Sequence, residues 1–186
     1  MNVIEMIKRS LRRFLMRRVL KSASRQRRMV DYASSGTIAL LYGHDHDEDV
    51  GVAGKLIKQF QEDGKSVSAL GFVNAGVVPE ETTPPKHARI CCRKDFSWLL
   101  KPKRAFLKEF TSTKFDILID LSPYQAHPMK FMAARSEAIF KTGAAHPDTD
   151  GVYDLIMQVE EDCPAAELAR HIIHYLKIIK TRNTNA

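Results

Sequence analysis

Only three cysteines occur in the 186 residues, Cys91, Cys92 and Cys163, and no CxxC is present. A framework of spaced disulfides is therefore excluded, and a reducing, cytoplasmic setting is the simplest expectation. Adjacent strand residues face opposite ways, so Cys91 and Cys92 read as separate core positions rather than a vicinal redox or metal pair. No apolar run approaches the ~20 residues needed to span a bilayer, which excludes a transmembrane helix. Arg12, Arg13, Arg17 and Arg18 interrupt every early apolar stretch that an export signal would require. The chain has nine glycines, and none belongs to a GxGxxG or a P-loop, the backbone cradles of nucleotide phosphates. No GxSxG elbow surrounds any serine. No catalytic motif is recognisable, and no cofactor or metal is expected.

Acidic residues are nearly missing from the first 28 positions. Glu5 stands there against ten Lys and Arg, giving about +9 in a chain whose total is +7, so residues 29–186 carry about −2. This divides the chain into a basic arm, 1–30, and a near-neutral domain, 31–186. The arm reads as a helix from about Val3 to Arg27. Val3, Ile7, Leu11, Phe14 and Leu15 form one apolar stripe, with Arg9, Arg12 and Arg13 opposite. Beyond Met16 the pattern decays as Arg18 and Lys21 rotate onto that stripe. Lys8, Arg9, Arg12, Arg13, Arg17 and Arg18 are the residues placed to meet an anionic partner. Such a partner is a membrane surface, a nucleic acid or a protein, and a second copy of the chain is a further one. Phe14 is the arm's one aromatic, which does not indicate base stacking. The alternative is that the stripe simply packs on the domain.

From Thr37 onward, short apolar runs alternate with helical patterns. TIALLYG (37–43), SVSALGFV (66–73), ARICCR (88–93), FDILIDLS (115–122), AIFKTG (138–143) and VYDLIMQV (152–159) read as strands. Helices are expected over about 48–62, from Pro102 to Thr111, around 128–136, and from Pro164 through Ile179. NAGVVPEETTPPKH (74–87), with three prolines, reads as a long loop. Strands that are apolar almost throughout have both faces covered. The expected fold is thus an α/β three-layer sandwich with a mainly parallel, Rossmann-like sheet of five to six strands, preceded by the basic helix.

In such a sheet, ligands bind beyond the carboxyl ends of the strands. The first strand runs into HDHDED, which puts His44, Asp45, His46, Asp47, Glu48 and Asp49 there. They suggest a divalent cation, against a plainer reading as acidic capping of the next helix. So many carboxylates repel phosphate. SPYQAHP brings Ser122, Tyr124, Gln125 and His127 to the end of a central strand, and Thr142 ends another. His44, His46, Ser122, Tyr124, His127 and Thr142 are the candidate ligand-binding residues, with no catalytic role assigned. His171 and His174 flank the stripe of the last helix and read as boundary packing.

The order SGTIALLYG, GKSVSALGFV, FDILIDLS, AARSEAIFKTG, VYDLIMQV and HYLKII resembles a small bacterial domain family of unknown function. The resemblance implies a cytoplasmic bacterial protein with no assigned activity, and an arm that is part of it rather than a cleaved leader. A shorter stretch, FDILIDLS through MAARS to AIFKTG, is similar to the acceptor-side half of heptosyltransferase-type glycosyltransferases. The expectation is a non-enzymatic domain that associates through its basic helix, peripherally at a membrane among other places. The alternative is a small-ligand-binding or transferase-like domain working at the strand ends.

Overall fold

A computed structural model describes residues 3–22 and 25–180, without the side chains of 3–5 and 8, so Val3 and Lys8 of the sequence reading lie outside the described side chains. Six parallel strands form one sheet: β1 (Thr37–Gly43), β2 (Ser66–Val73), β3 (Ala88–Cys92), β4 (Ile117–Leu121), β5 (Phe140–Ala144) and β6 (Leu155–Met157). Their order is β3-β2-β1-β4-β5-β6. The chain winds outward from β1 to one edge, returns, and winds outward from β4 to the other. The strand order therefore reverses between β1 and β4, which opens a crevice at their carboxyl ends.

Alternate strand residues build two cores. Ala39, Leu41, Leu70, Phe72, Cys91 and Leu118 face one side. Ile38, Leu40, Val67, Ala69, Ile117 and Ile119 face the other. Helices α2 (Asp47–Glu62) and α5 (Ala165–Ile178) cover the second face with Ala53, Leu56, Ile57, Phe60, Leu168, Ile172 and Leu176. Gly64, at φ 74°, ends α2 in the left-handed conformation that glycine adopts without strain. On the first face lie α3 (Ala105–Ser112), α4 (His127–Arg135) and the arginine-rich α1 (Val3–Ser22). The expected layering is present, and every strand is parallel.

Of the described members of the α1 stripe, Leu15 alone packs on the core, so the alternative of a stripe laid on the domain is not what the structure has. The buried residues of α1 are Met16 and Val19, flanked by Leu15 and Leu20, and the helix packs on α4. Ile7, Leu11 and Phe14, which carry the stronger sequence periodicity, are 62%, 43% and 61% exposed. The helix ends at Ser22 instead of Arg27, and residues 25–30 run on without regular structure. Arg25 anchors the segment that follows. Its guanidinium donates to both oxygens of Asp154 (2.8 and 2.9 Å) and to the carbonyls of Ala138, Ile139 and Val152. Five such bonds tie residue 25 to the β4–β5 and β5–β6 connections.

Gly143 shows how tightly the site end of the sheet is packed. A methyl group there would lie 2.8 Å from the Tyr153 ring, which crosses β5 at this point. Gly143→Ala is expected to displace that ring and to cost about 1–3 kcal/mol. Urea unfolding checks this, and a change within error would show that the contact is slack.

Candidate functional site

The crevice predicted by the strand order is a cleft of about 380 Å³. Its walls are His46 and Asp49 at the start of α2, the segment Leu121–Gln125 after β4, Ala144–His146 after β5, and the stretch from Val159 to Ala165 entering α5. Exposed Glu160, Glu161 and Asp162 form its rim. Asp49 adds a half-buried carboxyl, held above the usual carboxylate range by burial and by Glu48 and Asp45 despite the opposing effect of His46.

Beneath the cleft lies a closed polar network. Asp120, at zero exposure, accepts hydrogen bonds from the Ser122 backbone N–H (2.8 Å) and hydroxyl (2.5 Å) on one oxygen. Its other oxygen accepts from Lys130 Nζ (3.2 Å) and Tyr153 (2.5 Å). Lys130 spends its remaining donors on the Ser122 carbonyl and hydroxyl, at 3.0 and 3.1 Å. Burial, reinforced by Asp120, pushes the Tyr153 phenol well above its usual range. Every member is satisfied, as a buried charged network must be. Ser122 thus holds Lys130 and Asp120 in place, and a lysine paired to a carboxylate is not a free base for it.

A second cluster joins the cleft to the arm. The ring of His146 lies against Tyr124, with centroids 4.1 Å apart, and edge-on to His127 at 5.9 Å. Its Nδ1 accepts from the Asp148 backbone N–H at 3.0 Å, so the neutral ring carries its proton on Nε2. Burial, helped by Lys130 and His127, holds His146 down to about 4. Burial and a hydrogen bond to Glu161 raise Tyr124. The Asp148 side chain, 6% exposed, meets Arg13 Nε at 3.1 Å, Arg12 Nε at 3.4 Å and Arg9 Nε at 3.9 Å. His127, His146 and Asp148 each bring a ligand atom within 4.8 Å of the others, the spacing of a cation site. Three guanidinium groups already surround its carboxylate and oppose a further cation there.

The sequence candidates therefore divide. His46, Ser122 and Tyr124 line the cleft, whereas His127, at the first position of α4 and edge-on to His146, lines a second, shallow cleft with Leu11 and Trp98. His44 turns away, its Nδ1 3.3 Å from the Tyr42 hydroxyl, and burial lowers it despite Asp45 and Asp47. Thr142 is fully buried in β5 and lines no part of the cleft; its hydroxyl has no partner among the described residues. In HDHDED, Asp47, Glu48 and Asp49 occupy the first turn of α2 as expected. The N-cap is His46, without a side-chain cap bond, while Asp45 accepts from the Asn74 N–H at 2.9 Å. His171 is half-buried, 3.5 Å from Glu167, and His174 lies edge-on to Tyr175. Arg17 and Arg18 are exposed, whereas Arg9, Arg12 and Arg13 converge on Asp148. Lys130, His146, Asp148 and Tyr153 were missed. His146 and Asp148 bond to each other across two residues, but the contacts that bring Lys130, Tyr153 and Asp148 to the site span 8 to 136 residues.

The outer face of α1 is a different kind of surface. Ile7, Leu11 and Phe14 point away from α4, and Trp98, 80% exposed, shares with Leu11 a shallow cleft of about 350 Å³. The loop bearing Trp98 also carries exposed Arg93, Lys94, Lys101, Lys103 and Arg104. No described helix is long and apolar enough to cross a membrane.

Asp148→Asn is expected to loosen α1, since a neutral amide cannot hold three guanidinium groups. Limited trypsin digestion should then cut faster between Arg9 and Lys21 while the sheet domain persists, with a stability loss of about 1–3 kcal/mol. Unchanged cleavage would mean that Met16 and Val19 hold the helix unaided.

A family model matches residues 8–179, and its description is a family of unknown function (DUF6913). No curated protein and no solved structure gives a significant match to the chain.

Proposed function

Because the chain belongs to this family of unknown function, whose description assigns no chemistry, we propose its role from geometry: it docks on an anionic membrane surface through α1 and the 93–104 loop. The observation that carries this reading is the double-sided character of α1. One face is consumed in packing on α4, while the opposite face presents Ile7, Leu11 and Phe14 to solvent.

Around this outward face lie the exposed cations Arg17, Arg18 and Lys21 of α1, and the neighbouring loop adds Trp98 with five more. Apolar side chains ringed by Lys and Arg, with a tryptophan among them, suit the boundary between acyl chains and anionic headgroups. Each basic residue near such a surface contributes about 1 kcal/mol, and burying a large apolar side chain contributes roughly 1.5–3 kcal/mol. No change of fold is required, because the interacting residues already stand on the surface. The role needs no catalysis, in keeping with a basic arm on a domain without a recognisable catalytic motif.

Vesicle co-sedimentation tests the reading. Vesicles containing phosphatidylserine should bind the full chain, purely zwitterionic vesicles should not, and added salt should release it. Phe14→Ala combined with Trp98→Ala should weaken binding by at least about tenfold, equivalent to ~1.4 kcal/mol, with no change in melting temperature. Binding to duplex DNA but not to vesicles, or vesicle binding indifferent to both substitutions, would overturn it.

A further inference from the structure

The end of α1, helix α3 and the end of α4 enclose a cavity distinct from the strand-end cleft. We infer that it binds the phosphate group of a small phosphate monoester, held by Arg135, Lys108 and Lys101.

The cavity measures about 420 Å³, within the range of small-molecule sites. Four cations line it, Arg25, Lys101, Lys108 and Arg135, against the single carboxylate of Glu137. They come from three separate stretches of chain, so no local repeat of basic residues explains their meeting. Arg25 is already neutralised, because it binds both oxygens of Asp154. Lys101, Lys108 and Arg135 have no ion-pair partner among the described residues. The field in the cavity is therefore positive, which attracts an anion and repels a metal ion.

Arg135 carries the argument. It is half-buried and makes no side-chain hydrogen bond among the described residues. Burial lowers its guanidinium, and no acidic group opposes that effect. A charge drawn partly out of water without a counter-ion is unfavourable, and an arginine cannot escape by losing its proton. A bound anion relieves this. Its Nε is sealed from solvent, but the two terminal nitrogens are not, so this lining residue keeps donors for a ligand. The plainer role for a basic residue in the last turn of a helix is to cap its carbonyls. Here Lys141 has taken that role, donating from Nζ to the carbonyls of Ala133 (2.6 Å) and Ala134 (3.3 Å).

The donor set selects phosphate. Ser22 and Thr111 also line the cavity, but their hydroxyls donate to the carbonyls of Val19 and Lys108, at 2.9 Å each. The free donors are all cationic, and they call for a group that only accepts and carries more than one charge. A phosphate monoester does both, and its planar-fork contact with Arg135 leaves oxygens for the two lysines. A monocarboxylate neutralises one cation and leaves the others unmet. Hydroxyl groups on the ester's organic part find acceptors in the Ser22 and Thr111 oxygens and in Glu137.

Calorimetric titration of the full chain with glycerol 3-phosphate tests this, in slightly alkaline buffer that keeps the phosphate doubly charged. Saturable binding is expected, with none for glycerol or for chloride at matched ionic strength. Arg135→Gln should weaken it by at least about tenfold, and Lys108→Gln, at an exposed position, several-fold without a change in melting temperature. Vesicles separate two sources of the phosphate group. Tighter binding to phosphatidic acid than to phosphatidylserine at equal charge, with the excess lost in Lys108→Gln, assigns the group to a lipid headgroup. No such excess assigns it to a soluble ester. Phe14→Ala with Trp98→Ala should leave the titration unchanged, so membrane docking and this site can fail separately. Absence of saturable binding at millimolar glycerol 3-phosphate, or binding indifferent to both Arg135→Gln and Lys108→Gln, would overturn the assignment.

Discussion

Arg9, Arg12 and Arg13 occupy barely more than one helical turn, where like charges repel and would favour an arm extended into solvent. Asp148 reverses that balance. Its buried carboxylate meets all three guanidinium groups at 3.1 to 3.9 Å, from a loop between β5 and β6. Two of the arginines are 40% or more exposed, so each such contact is worth no more than about 1 kcal/mol. The decisive term is the carboxylate itself, which could not stay buried without them. Met16 and Val19 add apolar burial, and Arg25 on Asp154 fixes the exit from the helix. The orientation of α1 follows from these contacts, and with it the direction in which Ile7, Leu11 and Phe14 face.

The same loop couples arm and cleft. Asp148 receives the arginines through its side chain and fixes the His146 tautomer through its backbone N–H. Two residues separate the ring that faces the cleft from the carboxylate that holds the arm. The two surfaces nonetheless differ in charge: the outer face of α1 is basic and apolar, and the cleft rim is acidic.

The fold was legible in the sequence because a parallel sheet covered on both faces needs strands that are apolar throughout, and TIALLYG and FDILIDLS are such strands. The helices α2 and α5, expected from their sequence patterns, bury Leu56, Ile57, Phe60, Leu168, Ile172 and Leu176 against the sheet. Helix α1 was misleading because it carries two apolar stripes. Periodicity favours Ile7, Leu11 and Phe14, but burial is decided by complementarity with α4 and by Asp148, which is more than 130 residues away. Met16, Val19 and Leu20, outside the stripe read from the sequence, form the packed face together with Leu15, which belongs to it. At the site, His46, Ser122 and Tyr124 line the cleft. His44 and Thr142 do not line it, since nearness to a strand end does not say which way a side chain turns. Lys130 and Tyr153 reach Asp120 only once α4 and the β5–β6 connection have packed.

The account rests on a helix whose inner face is fastened and whose outer face is free, and native-state hydrogen exchange of the unliganded chain tests this most directly. It predicts that the backbone amides of Met16 through Leu20 exchange slowly, with protection near that of α4, and that Asp148→Asn abolishes the difference from a detached helix. Exchange of those amides at the rate of an unfolded peptide in the unmodified chain would contradict it.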